Sequence, residues 1–201
     1  MIEDAAKFAN DRRAREGSHA AKIAIETSYG RLIAEIFAAR APATAAHFLR
    51  LIDDGNLQAA SFYRAVRPDN DERLPKIRVI QGGLDPTTRQ LIVAPVEHES
   101  TKQTGLSHVD GTLSMVRWTP GSATSEFFIV VGDTPALDCG GTRHPDGQGF
   151  AAFGRVVAGM DIVRRINMSP TGAVTDIEYL RGQALAERVA MRIARIPAQT
   201  A

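Results

Sequence analysis

The run Lys22-Ile23-Ala24-Ile25-Glu26-Thr27-Ser28-Tyr29-Gly30-Arg31-Leu32-Ile33-Ala34-Glu35-Ile36-Phe37 is written with a period of two. Ile23 and Ile25 alternate with Ala24 and Glu26, Tyr29-Gly30 supplies a turn, and Leu32, Ala34 and Ile36 resume the alternation. Side chains two apart on a strand share a face, so this stretch predicts a β-hairpin with one buried side. Downstream the period changes. Pro42 stands where a helix favours its first residue, Ala45, Phe48, Leu49 and Ile52 recur at helical spacing, and Gly55 is placed to end the helix, which is expected over 42–54. Short apolar runs bounded by turn residues then predict strands over 60–66, 77–82, 112–117, 126–131 and 150–157. Many short strands with few helices indicate a barrel or a sandwich. A second short helix is expected over 159–166, with Met160, Ile162, Val163 and Ile166 available for packing. From Glu187, the alternation of Val189, Met191 and Ile193 favours a strand, although Leu185, Arg188, Arg192 and Arg195 also stripe a helix. Two long loops are expected, 67–76 and 138–149.

The chain has 201 residues, which suits one domain with a short extension. Residues 1–20 are polar and charged and are expected to be an extension or a frayed helix, with the domain proper over 21–201. Lys and Arg total 24 against 23 Asp and Glu, so no global field draws the protein to nucleic acid or to an acidic membrane, and a monomer is expected. One cysteine, Cys139, excludes an internal disulfide and a cysteine-based metal framework. No run of about 18 apolar residues is present, so no spanning helix is expected. The charges of the first twenty residues do not suit an export signal. The cytoplasm is therefore the default location, and the periplasm the alternative if a leader was removed.

No phosphate-cradling loop, dinucleotide fingerprint or zinc-type His pair is written in the chain, so no cofactor or metal is expected. His19, His47, His98, His108 and His144 lie in different segments and read as surface or loop residues, His144 with Asp146 facing solvent. One constellation differs. Phe62-Tyr63-Arg64, Val79-Ile80-Gln81-Gly82-Gly83 and Ser125-Glu126-Phe127-Phe128-Ile129 place lone polar residues inside apolar runs. Strand parity puts Phe62 with Arg64, Val79 with Gln81, and Glu126 with Phe128 on common faces. Converging, those faces would make an apolar pocket edged by a guanidinium, an amide and a carboxylate. Taken alone, Arg64 reads more readily as half of a structural ion pair.

Several motifs in one order, over about residues 22–196, resemble the cyclophilin-type peptidyl-prolyl cis/trans isomerases. They are the hairpin, Ala41-Pro42-Ala43-Thr44, Phe62-Tyr63-Arg64, Ile80-Gln81-Gly82-Gly83, Gly111-Thr112-Leu113-Ser114-Met115, the run from Ser122 to Ile129, Leu137-Asp138, and Phe153-Gly154-Arg155-Val156-Val157-Ala158-Gly159-Met160. The resemblance implies a mainly β protein, an eight-stranded antiparallel β-barrel capped by two α-helices. It implies that Arg64 is the catalytic arginine and Gln81 the glutamine that orients substrate. Phe128 and Leu137 match walls of a proline pocket, and Phe62 matches the residue two before the arginine. Tyr63 stands where the pattern has histidine, Val79 where methionine is usual, Glu126 where glutamine is, Phe150 where the pocket histidine is, and Arg78 where phenylalanine is frequent. Val79, Glu126 and Phe150 thereby join the expected substrate-binding residues. Proline-containing peptides or proteins are the expected partners, with cyclosporin-like cyclic peptides as candidate ligands. The expected role is to assist protein folding.

Rotation about a peptide bond is opposed by a barrier of roughly 18–20 kcal/mol that arises from amide resonance. Halfway through, the prolyl nitrogen gains a lone pair, and a guanidinium donor aimed there favours the twisted state. A carboxylate at Glu126 is expected to grip Arg64 and compete for its donors. Two rival readings remain at this level. One is a proline-peptide binding or chaperone module with little turnover. The other is a small-molecule carrier of the lipocalin kind, which a barrel packed with its own side chains would dismiss.

Overall fold

Strands β1 (Ala21–Thr27) and β2 (Gly30–Ile36) form the expected hairpin, with Ile23 opposite Ala34 and Ile25 opposite Leu32. The computed structural model describes residues 21–86 and 93–197, so the expected N-terminal extension over 1–20 lies outside the described residues. The remaining strands are β3 (Ser61–Val66), β4 (Val79–Gly83), β5 (Thr112–Met115), β6 (Phe127–Val130), β7 (Ala152–Ala158) and β8 (Ala184–Ile196). All neighbours are antiparallel, and the sheet closes in the order β1-β2-β7-β5-β6-β4-β3-β8. Closure leaves no edge strand to protect. The C-terminal segment is the strand that its alternation favoured, and it starts at Ala184, before Glu187.

Helix α1 (Pro42–Asp53) packs against β7 and β8 through Ala45, Phe48 and Leu49. Its N-terminus has no cap of its own; the Glu99 carboxylate instead accepts from Ala43 N (3.1 Å) and Thr44 N (2.7 Å), satisfying two orphan donors at the positive end of the dipole. At the other end Gly55 takes φ +71°, Gly55 N bonds Ile52 O and Asn56 N bonds Leu51 O, the paired closure that a left-handed residue permits. Thr101–Thr104 forms a one-turn helix, α2, that the periodicity did not signal, closed by a reciprocal Ser100–Gln103 capping box. Helix α3 (Met160–Asn167) packs against β2, β3 and β4 with Ile162, Val163 and Ile166 buried.

The barrel interior is filled. Phe48, Phe127 and Phe153 meet at ring-centroid distances of 5.2 and 4.8 Å, Phe62 lies 5.9 Å from Phe127, and Ile25, Leu113 and Ile129 close the gaps. This packed interior dismisses the carrier reading.

The parity expected for β3 fails at one residue. Phe62 pairs with Gly82 and Arg64 pairs with Gln81, so Tyr63 has no partner of its own on β4 and is the extra residue of a β-bulge. Phe62 therefore points into the interior while Arg64 points out, and Phe62 belongs to the core and not to the pocket. Its ring requires Gly82, where an added Cβ would lie 2.9 Å from Phe62 Cδ1 and 2.5 Å from Ser61 O. In β4 and β6 alternation is regular: Ile80, Phe127 and Ile129 face in, and Val79, Gln81, Phe128 and Val130 face out.

Phe62→Ala should therefore cost about 3–5 kcal/mol of stability. Urea denaturation checks this; a normal midpoint with weakened peptide binding would return Phe62 to the pocket.

Candidate active site

Outside the barrel, the outward faces of β3, β4 and β6 form the floor of a cavity of about 120 Å³. Val79, Phe128, Leu137 and Phe150 make its apolar wall, with Ile77 and Val116 alongside. Phe128 meets Phe150 edge-on at 5.4 Å, and its other face stacks on His108 at 5.9 Å and 17°. Five of the residues expected from sequence are thus gathered with Arg64: Val79, Gln81, Phe128, Leu137 and Phe150.

Arg64 is held by neutral acceptors. Its Nε and Nη2 donate to Gln183 Oε1 at 2.9 and 2.6 Å, and Nη1 donates to Gln81 Oε1 at 2.7 Å. The Tyr179 ring lies 5.2 Å from the guanidinium carbon. Burial lowers the Arg64 pKa to about 10, which leaves it a cation at neutral pH. A guanidinium has five N–H groups; three are engaged here, so two remain for a ligand.

The expected grip of Glu126 on Arg64 is not what the structure shows. Glu126 shares the outward direction of Phe128 but lies behind Gln81, off the cavity surface. Its Oε1 accepts a short hydrogen bond from the Tyr63 hydroxyl, one from Tyr179 Oη at 3.2 Å and a long one from Gln81 Nε2 at 3.5 Å. Gln81 Nε2 also donates to Tyr63 Oη at 3.1 Å. The bulge is the reason: it turns Tyr63 outward and puts a phenol between the carboxylate and the guanidinium. Burial, reinforced by the Glu126 charge, raises the Tyr63 pKa well above its ordinary value, so the phenol stays a donor. Glu126 thereby fixes the Gln81 amide with its oxygen toward Arg64, and it acts on the site through Gln81.

The two long loops are built into the site. Asp71, buried in the first, pairs with Arg143 of the second at 2.9 Å, and Arg143 Nη1 also donates to Arg73 O and Pro75 O. Arg117 grips Asp146 through both Nη atoms at 2.7 and 2.9 Å, which holds the Asp146 carboxyl well below the usual carboxylate range. His144 does not face away into solvent as expected. It is half-buried in the cavity lining, its Nδ1 2.9 Å from Asp146 Oδ1. His108 is likewise no surface residue: it is buried, with Nδ1 2.6 Å from Asp138 Oδ1 and Nε2 2.9 Å from Ser114 Oγ.

Sequence reading missed Gln183, Tyr179, Arg117 and Trp118. Gln183 sits just before β8 and its amide nitrogen donates to Asn70 O at 2.8 Å, which ties it to the first loop. No periodicity marks such a residue. The only available signal was a lone polar side chain at the head of an apolar alternation.

The comparisons with known proteins follow the same lines. The family model described as cyclophilin type peptidyl-prolyl cis-trans isomerase/CLD matches residues 22–185. Peptidyl-prolyl cis-trans isomerase cyp18 of Streptomyces antibioticus is 33% identical over 153 residues, 75% of this chain and 86% of that protein. Peptidyl-prolyl cis-trans isomerase B of Escherichia coli is 31% identical over 152 residues, again 75% and 86%. Among solved structures, a cyclophilin type peptidyl-prolyl cis-trans isomerase of Cryptosporidium parvum superposes with a TM-score of 0.68 at 20% identity, covering 90% of this chain and 99% of that one. A second crystal structure of that protein, in the presence of the dipeptide Ala-Pro, gives a TM-score of 0.66.

The hydrogen bonds around Glu126 set a test. Glu126→Gln keeps an acceptor for Tyr63 and should stay within about 1 kcal/mol of the wild type, whereas Glu126→Leu strands buried donors and should cost about 1–3 kcal/mol. Urea denaturation of both variants checks this; equal losses would show that the carboxylate's charge matters and not its lone pairs.

Proposed function

The chain belongs to the cyclophilin-type peptidyl-prolyl cis-trans isomerases, and from that premise we propose that Arg64 is the group that turns over X-Pro bonds in its cavity. The observation that carries this reading is a guanidinium with two uncommitted N–H groups at the edge of an apolar wall. The prolyl ring seats against Val79, Phe128, Leu137 and Phe150, and the wall excludes water from it. The preceding carbonyl swings while the ring stays fixed. As the bond twists, resonance is lost and the nitrogen becomes pyramidal. Arg64 then donates to the new lone pair, an interaction that neither planar isomer offers.

Gln81 and Gln183 hold the guanidinium in place before substrate arrives, so little reorganisation is required at the moment of rotation. Because both are neutral acceptors, they orient the cation without cancelling its charge. No bond to substrate is made or broken, and no proton is transferred. A monomer is the proposed working unit. Cyclosporin-like cyclic peptides are a proposed ligand class for the same apolar wall, and assistance to protein folding is the proposed role.

Arg64→Ala should lower kcat/KM on an Ala-Pro peptide by about 10²-fold, the usual loss when one transition-state donor is removed. NMR exchange spectroscopy measures the rate, with circular dichroism to show an intact fold. Activity within twofold of the wild type would overturn the assignment of Arg64 as the transition-state donor.

A further inference from the structure

The side chains that line the cavity have a one-sided charge. Arg64, Arg73, Arg117, Arg143 and His144 reach its surface, and no carboxylate does. The chain as a whole is nearly balanced, at a formal net charge of +1, so this is a local arrangement and not a reflection of composition. The acids that compensate it are not among the side chains that line the cavity. Asp71 serves Arg143, Asp146 serves Arg117 and His144, and Glu126 serves Tyr63, Tyr179 and Gln81. Among the described residues, neither Arg64 nor Arg73 pairs with a carboxylate. Arg64 is committed to the prolyl nitrogen. Arg73 is different: it is exposed, and its Nη2 donates to a backbone oxygen, Arg143 O, at 3.2 Å.

Arg73 is also held in place. The Asp71 carboxylate accepts from Arg73 N at 3.2 Å, and Arg143 donates to Arg73 O at 3.1 Å, so the same buried pair that clamps the two loops fixes the backbone from which this side chain projects. A cation on an anchored backbone, at the rim of a cleft whose other charged walls are basic, raises the local concentration of anions. Resting on the isomerase reading above, we propose that this cavity selects X-Pro segments carrying an acidic side chain within two residues of the proline, and that Arg73 is the residue that recognises it.

The selection is electrostatic and at an exposed rim, so it amounts to a preference of roughly three- to fivefold and is screened by salt. A carboxylate and a phosphoryl group share the required charge.

The test compares peptides that differ only in one residue beside an Ala-Pro core, Glu, Gln, Lys or phosphoserine, on each side of the proline in turn. Turnover is read by NMR exchange and affinity by the fluorescence of Trp118, the one tryptophan of the chain, which lines the cavity and is 51% exposed. The expected result is a three- to fivefold higher kcat/KM for Glu than for Gln at low salt on at least one side, with Lys disfavoured. The ratio should fall toward one at about 0.5 M salt. Arg73→Gln should abolish the Glu-to-Gln ratio and Arg73→Lys should keep most of it. A phosphoserine ratio well above that of Glu would identify the phosphoryl group as the favoured anion. Equal Glu and Gln kinetics in the wild type, or a ratio unchanged in Arg73→Gln, would overturn this inference while leaving the isomerase reading intact. Failure to turn over the plain Ala-Pro peptide, with acidic peptides still bound preferentially, would overturn the isomerase reading and leave this one standing.

Discussion

One inserted residue sets the geometry on which the site depends. At Tyr63 the β3–β4 ladder takes a bulge, and the side chains on either side of it, Phe62 and Arg64, end on opposite faces of the barrel. Without the bulge, regular alternation would bury the guanidinium when it buries the phenyl ring, or expose the ring when it exposes the guanidinium. The bulge allows a core anchor and a cavity cation to stand two residues apart. Gly82 is its counterpart on β4, since only a residue without Cβ leaves room for the Phe62 ring.

From that point the polar groups form a chain. Glu126 takes the Tyr63 phenol and touches the Gln81 amide, Gln81 turns its oxygen to Arg64, and Gln183 holds the guanidinium from the other side. A buried cation surrounded by partners pays for desolvation unless its hydrogen bonds are made. Here they are made by neutral amides, which preserve the charge for a ligand. Two of the five positions where this chain departs from the pattern it resembles, Tyr63 and Glu126, hydrogen-bond one another, so they act as one change and not two.

The loops are fixed by ion pairs of a different kind. Asp71–Arg143 is buried and carries additional hydrogen bonds to Arg73 O and Pro75 O, and Arg117–Asp146 is bidentate. In a buried pair desolvation offsets much of the Coulombic gain, and removing either partner leaves an uncompensated charge. The two pairs also place basic side chains at the cavity surface while their counter-charges stay off it. Tyr179 and Trp118, 5.1 Å apart and edge-on, complete the rim beside Arg64.

The hairpin, the two longer helices, the other strands and the apolar wall of the cavity were legible in the sequence, because each is specified by local periodicity or by motifs whose order is preserved. Val79, Gln81 and Phe128 followed from strand parity and family resemblance together, Leu137 and Phe150 from the resemblance alone, and the five meet at the cavity. Phe62 did not, since a bulge has no period and reverses the face of everything on one side of it. Gln183, Tyr179, Arg117 and Trp118 were invisible for another reason: each reaches the site from a loop, a short turn or a strand end, and only barrel closure brings it near Arg64 or the wall. By itself the sequence determined the barrel and the pocket's apolar lining, because local alternation and helical spacing specify which faces are buried. The tertiary structure alone decided what holds the Arg64 cation and where its charge is left open, because hydrogen-bond partners at that distance in sequence are chosen by closure of the sheet and not by any neighbour in the chain.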